Sequence, residues 1–213
     1  MVSGSIASKA ARMVAPSEPI EVAGPPRRYV SRGGDKLEGA LDEFRIDVPG
    51  LRCVDVGAST GGFTDCLLQR GAAHVVAIDV GRGQLDWSIR QDERVTTIEQ
   101  TDVRDVDASR VGDADLVVAD VSFISLRTVL PPIATLAGGA PIVALVKPQF
   151  EVGRERVGKG GVVRDPELHV DALTSVIDRA RELGLQCRAA VPSPILGAEG
   201  NREFFLDLKR SAA

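Results

Sequence analysis

The stretch LRCVDVGASTGGF occupies residues 51–63 and decides the fold of this 213-residue chain. It opens with a short apolar run that ends at Gly57, and residues 61–70 follow with helical spacing. In that second part Phe63, Cys66 and Leu67 fall on one side of the predicted helix. An apolar strand that turns through glycines into a helix predicts a βα unit whose loop lets the backbone approach a ligand closely.

Six more apolar runs follow the first, and helix-like stretches separate most of them. The predicted strands are residues 51–56, 74–79, 95–99, 115–120, 141–146, 185–192 and 203–209. The predicted helices are residues 36–44, 61–70, 85–90, 124–136 and 166–183. Continuous apolar strands that alternate with helices favour a parallel sheet that is covered on both faces. We therefore predict an α/β fold with a doubly wound, seven-stranded, mostly parallel sheet.

Length and composition bound the class of protein. Hydrophobic residues make up 44% of the chain and charged residues 26%, which is typical of a globular protein and excludes a wholly disordered one. Three cysteines imply no disulfide framework, and two histidines without a CxxC pair favour no metal site. The sequence has no apolar run as long as a membrane span and no signal peptide. We therefore predict a soluble cytoplasmic protein with no membrane partner.

The formal net charge of −4 is unevenly distributed. Such an acidic balance argues against a general nucleic-acid coat protein, because non-specific affinity comes from Lys and Arg at phosphates. However, residues 27–36 and residues 147–164 each carry a net charge of +3, so the remainder carries −10. The two basic segments include Lys36 and Lys147, which predicts one basic cleft in an acidic body.

Ligands of doubly wound sheets lie beyond the C-terminal ends of the strands, so the residues that follow each strand are candidates. Asp79 follows the second predicted strand, where a carboxylate can accept both hydroxyl protons of a ribose. Asp102 follows the third strand and is placed to accept an adenine amino group, and Asp55 is placed to face a positively charged methionine group. The predicted cofactor-binding residues are Asp55, Gly57, Ser59, Thr60, Gly61, Gly62, Phe63, Asp79, Val80, Asp102, Val103 and Asp120.

The glycine spacing of the first loop discriminates between two classes of nucleotide. The loop reads GxxxGG, whereas a dinucleotide site calls for GxGxxG, and the chain has no GxxxxGK[ST] phosphate loop. Because S-adenosylmethionine carries no phosphate, its loop does not need such closely spaced glycines. The loop therefore favours S-adenosylmethionine as the cofactor.

Several stretches together resemble the methyltransferase domain of the TlyA family, which is similar to FtsJ-type ribosomal RNA 2′-O-methyltransferases and has also carried a haemolysin label. They are DVGASTGGF (55–63), AIDVGRGQL (77–85), TDVRD (101–105), VADVSFISL (118–126), LVKPQFE (145–151) and GNREF (200–204). The stretches VSRGGDKL (30–37) and LVKPQFEVGR (145–154) are specific to that family. The resemblance runs from about residue 27 to residue 209. It implies a Rossmann-like class I methyltransferase fold with an antiparallel last strand. It also implies methyl transfer to the 2′-hydroxyl of cytidines in the ribosomal RNA of both subunits.

The resemblance also implies four catalytic residues. The FtsJ-type pattern Lys-Asp-Lys-Glu matches Lys36, Asp120, Lys147 and Glu203. A ribose hydroxyl is a poor nucleophile, so a positioned group must accept its proton or orient its lone pair. We predict that Lys147 acts on the 2′-hydroxyl, either as a true base or as a positioning group. We also predict that Asp120 orients the Lys147 side chain. The alternative is that both are ordinary solvated charges at strand ends.

The basic segments supply the predicted RNA contacts, which are Arg27, Arg28, Arg32, Arg154, Arg156 and Lys159. Residues 153–161 are basic and rich in glycine, which favours a mobile lid over the acceptor RNA, the alternative being a disordered surface insertion. Phe123 and Phe150 each come three residues after a predicted catalytic residue. Unstacked RNA bases often pack on aromatic faces. A phenylalanine after a strand is more often a core residue, so neither is assigned to the site.

Residues 1–26 differ from the rest in being dominated by Ser, Ala, Gly and Pro. We predict a leader or linker there, and the resemblance implies the remnant of an S4-type RNA-binding domain, followed by the methyltransferase domain at residues 27–213. The expected partners are ribosomal RNA and ribosomal subunits, and the expected state is a monomer. A membrane-active haemolysin and a catalytically silent RNA-binding module remain as alternative functions, and a small-molecule O-methyltransferase is the nearest enzymatic rival.

Overall fold

The computed structural model describes residues 1–7, 12–21, 27–197 and 199–211. Among these residues the strands are β1 (Arg52–Val56), β2 (His74–Ile78), β3 (Val95–Ile98), β4 (Leu116–Ala119), β5 (Ile142–Val146), β6 (Leu185–Pro192) and β7 (Phe204–Arg210). The α-helices are α1 (Arg32–Phe44), α2 (Gly62–Gln69), α3 (Trp87–Arg90), α4 (Leu126–Ala137), α5 (Pro148–Glu151) and α6 (Pro166–Glu182). Short 3₁₀ turns lie at Val103–Asp105, Ala108–Arg110, Arg154–Arg156 and Lys159–Gly161.

The seven strands form one sheet in the order β3-β2-β1-β4-β5-β7-β6. All neighbours from β3 to β5 are parallel, whereas β7 pairs antiparallel with both β5 and β6. The predicted seven-stranded, mostly parallel α/β sheet is confirmed, and so is the antiparallel last strand. The strand order reverses between β1 and β4, which is where doubly wound sheets bind ligands.

Helices cover both faces of the sheet, because successive side chains of a strand point to opposite faces. On β1, Val54 packs in a core that includes residues of α4 and α6, whereas Cys53 packs in a second core that includes residues of α1 and α2. Burial on both sides explains why the central strands read as continuous apolar runs.

Four helices begin at different residues than predicted, including α2 at Gly62 rather than residue 61 and α3 at Trp87 rather than residue 85, and one short helix was missed. Helix α1 begins at Arg32 because the Ser31 hydroxyl accepts a hydrogen bond from the backbone N–H of Gly33, which caps the first turn. Helix α4 begins at Leu126 rather than at residue 124, because Phe123 has a left-handed backbone (φ 65°) and Ser125 is the N-cap. Helix α5 spans only four residues, too few for an apolar period to reveal it.

The ends of β1 and β4 come very close together. The backbone N–H of Asp120 donates to the carbonyl of Val56 at 2.9 Å, and a Cβ atom added to Gly57 would lie 2.5 Å from the carbonyl oxygen of Asp120. With φ at 85°, Gly57 also has a backbone that side chains disfavour. Only glycine therefore fits the turn that opens the ligand-binding edge.

Candidate active site

Lys147 and Asp120 form an ion pair at the C-terminal edge of the sheet. Each directly follows a strand, Lys147 after β5 and Asp120 after β4, and these two strands are parallel neighbours. Lys147 Nζ lies 2.5 Å from Asp120 Oδ1 and donates a hydrogen bond to Ser122 Oγ at 2.7 Å. The Lys147 side chain is only 10% exposed. The amine is therefore held by two oxygens at a nearly dry position.

Lys36 and Glu203 form a second, more deeply buried pair. Lys36 comes from α1 and Glu203 directly precedes β7, and Lys36 Nζ donates to Glu203 Oε2 at 2.6 Å. The exposed fractions of the two side chains are 10% and 3%. Because Phe204 on β7 pairs with Val146 on β5, Glu203 lies beside the residue that follows β5, which is Lys147. The structure thus brings the four predicted catalytic residues to one edge.

Three cavities meet at this edge. One of about 310 Å³ runs along the ends of β1, β2 and β4, and is called the cofactor cavity below. A smaller one of about 160 Å³ lies between α1 and the loop before α2. The third, of about 780 Å³, lies between Phe150, the segment 153–161 and the turn before β7, and is called the acceptor cavity. Lys36 and Lys147 line both the small cavity and the acceptor cavity.

Most of the predicted cofactor-binding residues line the cofactor cavity or the small cavity. They are Gly57, Ser59, Thr60, Gly62, Phe63, Asp79, Val80, Asp102, Val103 and Asp120. Val80 is an exposed apolar side chain, and Val103 is a buried one, so the cavity offers apolar surface next to carboxylates. Such a mixture suits a nucleoside, which has a flat base and a polar sugar.

Two of the three carboxylates that line the cofactor cavity, those of Asp79 and Asp102, already have partners. Asp79 accepts hydrogen bonds from the backbone N–H groups of Ser59 and Gly81, each at 2.7 Å, which fixes its carboxylate at the end of β2. Asp102 accepts from the side chain and backbone of Arg104, and these hydrogen bonds hold the pKa of Asp102 below its ordinary value. Asp102 is therefore a charged acceptor, but one that Arg104 also engages.

Asp55 and Gly61 do not line any of the three cavities. Asp55 is fully buried on the side of the sheet that carries α2, and its Oδ2 accepts a hydrogen bond from the Thr64 hydroxyl at 2.6 Å. Burial raises the pKa of Asp55 to about 7, although the Thr64 hydrogen bond opposes the shift. Asp55 thus lies on the buried side of the loop between β1 and α2, and its hydrogen bond with Thr64 joins the strand to the helix. Gly61 faces Leu85 and forms the left-handed turn before α2.

Two aromatic side chains line the acceptor cavity. Phe123 is 91% exposed and its ring centre lies 5.4 Å from that of Phe150. Neither side chain belongs to the core, since Phe123 is exposed in a left-handed conformation and Phe150 is only half-buried. Phe123 also lines the cofactor cavity, so its ring stands where the two cavities meet.

The segment 153–161 forms one wall of the acceptor cavity. It contains two 3₁₀ turns, and just beyond it the Asn201 side-chain oxygen accepts from the backbone N–H of Val163 at 2.9 Å. The Asn201 amide also donates to the carbonyl of Gly161 at 2.9 Å. Asn201 is buried and lies two residues before Glu203. The mobility predicted for this segment stays a prediction.

The predicted RNA-binding residues differ in whether their charged groups already bond to other groups of the protein. Arg154 lines the acceptor cavity. Arg156 is bonded to the carbonyl of Val152 and to Asp171, Arg28 pairs with Glu38, and Arg32 donates to the carbonyl of Leu196. Arg27 and Lys159 are exposed.

Sequence reasoning missed three side chains that shape the site, Ser122, Glu151 and Asn201. Glu151 is buried, and its carboxylate accepts from the backbone N–H of Leu126 at 2.7 Å and from the Ser125 hydroxyl at 2.6 Å. Glu151 and Asn201 lie in the quoted stretches LVKPQFE and GNREF, which was the available signal. Ser122 had the same kind of signal, since it lies in the quoted stretch VADVSFISL, two residues after Asp120.

Two further properties concern the described residues alone. No three His, Cys, Asp or Glu side chains among them are grouped so that they could hold a metal ion. None of their helices combines the length and the apolar character that crossing a membrane demands.

The sequence and the structure match known proteins. A family model described as FtsJ-like methyltransferase matches residues 29–210. The chain is 56% identical to the 16S/23S rRNA (cytidine-2′-O)-methyltransferase TlyA of Mycobacterium tuberculosis over 185 residues, which cover 86% of this chain and 69% of that protein. It is 44% identical to Hemolysin A of Brachyspira hyodysenteriae over 83% of this chain and 75% of that protein. The solved structure of a hemolysin-named protein from Lactococcus lactis aligns with a TM-score of 0.83 and 46% identity, over 86% of this chain and 89% of that chain.

Proposed function

This chain belongs to the FtsJ-like methyltransferase family, and on that premise we propose that it transfers a methyl group from S-adenosylmethionine to the 2′-hydroxyl of cytidines in ribosomal RNA. The observation that carries the proposal is the Lys147–Asp120 pair at the junction of the cofactor cavity and the acceptor cavity. A methyl donor on one side and a ribose on the other would meet at this amine.

The residues of the cofactor cavity fit S-adenosylmethionine. The apolar side chains of Val80 and Val103 suit the faces of an adenine, and the fixed carboxylate of Asp79 suits the two ribose hydroxyls. The small cavity, lined by Gly62 and Phe63, continues toward the two lysines and suits the methionine part. Because Gly57 has no side chain, the backbone of its turn can approach the ligand closely. Asp55 supports this loop from behind.

When bound, S-adenosylmethionine supplies a methyl group on a positively charged sulfur. Lys147 in its neutral form would accept the proton of the 2′-hydroxyl while the ribose oxygen forms its bond to the methyl carbon and the carbon–sulfur bond breaks, the electron pair of that bond staying on sulfur as a neutral thioether. Asp120 holds the amine by its 2.5 Å contact and stabilises the ammonium that results. The proton then leaves Lys147 to solvent, which restores the neutral amine for the next turnover.

The Lys36–Glu203 pair builds the opposite wall of the reaction site. Because both charges are buried and each satisfies the other, they form a rigid polar surface next to Lys147. Lys36 lines the small cavity and the acceptor cavity, but Glu203 neutralises its charge, so the pair contributes a fixed polar wall and no net positive potential. In this proposal Lys36 and Glu203 complete the catalytic network without accepting the proton.

The acceptor cavity supplies contacts for a nucleotide that has left its stack. The exposed ring of Phe123 offers a face to a base, which is how proteins often hold unpaired RNA bases. Arg154 lines the same cavity and is suited to a phosphate of the adjoining backbone. Ribosomal RNA as the substrate and cytidine as the target are inferred from the relative in Mycobacterium tuberculosis, whose name states both. Since ribosomes are made and used in the cytoplasm, the proposal places the protein there.

Labelled-methyl transfer to isolated ribosomal subunits and to free ribosomal RNA tests the proposal. Digestion of the product and chromatography of its nucleosides should reveal labelled 2′-O-methylcytidine. Label on a base or on protein, or no transfer to any of these RNAs, would contradict it. Because one relative is named Hemolysin A, release of haemoglobin from erythrocytes is measured in parallel. Lysis without methyl transfer would favour the haemolysin alternative.

A further inference from the structure

We propose that Ser122 is a positioning residue that fixes the direction in which Lys147 presents its amine to the acceptor hydroxyl, an inference that rests on the proposed methyl transfer. Ser122 follows Asp120 by two residues and has no counterpart in the Lys-Asp-Lys-Glu pattern. Its hydroxyl oxygen lies 2.7 Å from Lys147 Nζ and accepts a hydrogen bond from it.

A neutral amine has two N–H groups and one lone pair in a tetrahedral arrangement. Ser122 Oγ, at 2.7 Å, accepts a hydrogen bond from one N–H group of Lys147. The Asp120 carboxylate, whose Oδ1 lies 2.5 Å from Nζ, repels the lone pair of the amine, so the two contacts together direct that lone pair away from Asp120 and Ser122. With Asp120 alone, the amine rotates about the Cε–Nζ bond and presents an N–H group in that direction part of the time.

The Ser122 hydroxyl is itself held in place by its loop. At the start of the loop the backbone N–H of Asp120 donates to the carbonyl of Val56. At its end the Glu151 carboxylate accepts from the backbone N–H of Leu126 at 2.7 Å. Between these two anchors, Phe123 has a left-handed backbone conformation, which residues other than glycine rarely adopt. A loop anchored at both ends gives the hydroxyl a defined position, as a positioning residue needs.

Ser122 also has a distinctive place among the cavities. It lines the cofactor cavity, the small cavity and the acceptor cavity, and among the described residues no other side chain lines all three. Lys147 lines two of them. Ser122 and Asp120 therefore direct the lone pair of Lys147 toward the point where the methyl donor and the acceptor ribose would meet.

The test compares three variants with the wild type. Ser122→Ala removes the hydroxyl, Ser122→Thr keeps it, and Ser109→Ala makes the same chemical change on a 3₁₀ turn outside the three cavities. For each, kcat and KM for ribosomal RNA are measured, together with the Kd of S-adenosylmethionine by calorimetry. The calorimetric Kd also reports whether each variant has folded.

We expect Ser122→Ala to lower kcat about tenfold, the rate equivalent of one hydrogen bond, and to leave KM and Kd within about twofold. Ser122→Thr should recover most of the lost kcat, and Ser109→Ala should match the wild type. An unchanged kcat in Ser122→Ala, a loss confined to KM or Kd, or a threonine variant no faster than the alanine variant would overturn the inference. If the wild type itself binds the cofactor but methylates no RNA, the proposed function fails and this inference falls with it.

Discussion

The Nζ atom of Lys147 and the Oδ1 atom of Asp120 lie 2.5 Å apart at the ends of two neighbouring parallel strands, β5 and β4. Neither residue has sequence neighbours that would bring it to the other, since 27 positions separate them in the chain numbering. The parallel sheet does so, because the C-terminal ends of adjacent strands share one edge. The proposed base and the group proposed to orient it thus lie at the ends of two adjacent strands of the central sheet.

The buried Lys36–Glu203 pair should couple strongly in stability measurements. Lys36→Met or Glu203→Leu alone should lower the free energy of unfolding by about 3 kcal/mol, because each leaves a buried charge without its partner. The double variant Lys36→Met/Glu203→Leu should recover most of that loss while methyl transfer stays impaired. Urea unfolding at pH 7 measures both.

The exposed pair Arg181–Asp178, with side chains 70% and 55% exposed, provides the control. Replacing either of its members by alanine should change the free energy of unfolding by less than about 0.5 kcal/mol. A double variant of Lys36 and Glu203 that is as unstable as the sum of the single variants would show that the two residues act independently.

Substitutions of Phe123 should change the stability of the protein and its KM for RNA for separate reasons. Its left-handed backbone costs a side chain about 1 kcal/mol, whereas glycine adopts it freely. Phe123→Gly should therefore be more stable than Phe123→Ala by about that amount. Both variants should raise KM for RNA, since both lack the exposed ring. Thermal unfolding tests the stability difference between the two variants, and steady-state kinetics tests their KM. A KM equal to that of the wild type would mean that the ring does not contact the acceptor RNA.

Asp55 should make stability fall as the pH rises. Burial raises its pKa to about 7 in the folded chain, while an unfolded aspartate titrates near 4. The folded state therefore binds the proton more tightly between these values, and its stabilising contribution, complete below about pH 4, is lost by about pH 7. Relative to the wild type, Asp55→Asn should gain about 3 kcal/mol of unfolding free energy between pH 5 and pH 8.

Denaturant unfolding at several pH values measures this difference between the two proteins. The exposed Asp113, in the loop before β4, is the matched site, and Asp113→Asn should follow the wild-type pH dependence. If Asp55→Asn and the wild type change in parallel with pH, then Asp55 is ionised in the folded chain throughout this range.

Arg154 should contribute to RNA affinity through a phosphate contact. Arg154→Ala should weaken binding of ribosomal RNA and reduce the slope of log K against log salt by about one. Arg179→Ala on α6, where the side chain pairs with Glu182, should leave the slope unchanged. Arg156→Ala should have a smaller effect than Arg154→Ala, because Asp171 already neutralises that guanidinium. Filter binding at three salt concentrations distinguishes these outcomes.

The strands and the pairing of Lys147 with Asp120 could be predicted from the sequence, since burial on both faces leaves continuous apolar runs and parallel strands share one edge. Ser122, Glu151 and Asn201 could not, because their roles depend on hydrogen bonds to residues 25 to 40 positions away. Phe123 was not assigned to the site for a local reason. A strand followed by a helix predicts a turn, but the apolar pattern carries no sign of a left-handed residue within it.

The position of Asp55 illustrates a second limit. Its place near the C-terminal end of a buried strand favoured contact with a ligand, and the same pattern is equally consistent with a carboxyl that faces the helix behind the loop. The Thr64 hydroxyl on α2 decides between them, because it offers a hydrogen bond at 2.6 Å on the buried side. A side chain's direction at the end of a strand depends on such partners, which spacing alone does not reveal.

The single-turnover rate of methyl transfer by Lys147→Ala tests the central claim most directly. Wild type and variant are each saturated with S-adenosylmethionine and mixed with ribosomal subunits, and labelled 2′-O-methylcytidine is followed in time. We predict a rate at least 100-fold lower in the variant, with cofactor affinity unchanged, because the proton of the ribose hydroxyl loses its acceptor. A variant that transfers the methyl group at the wild-type rate would contradict the assignment of Lys147 as that acceptor.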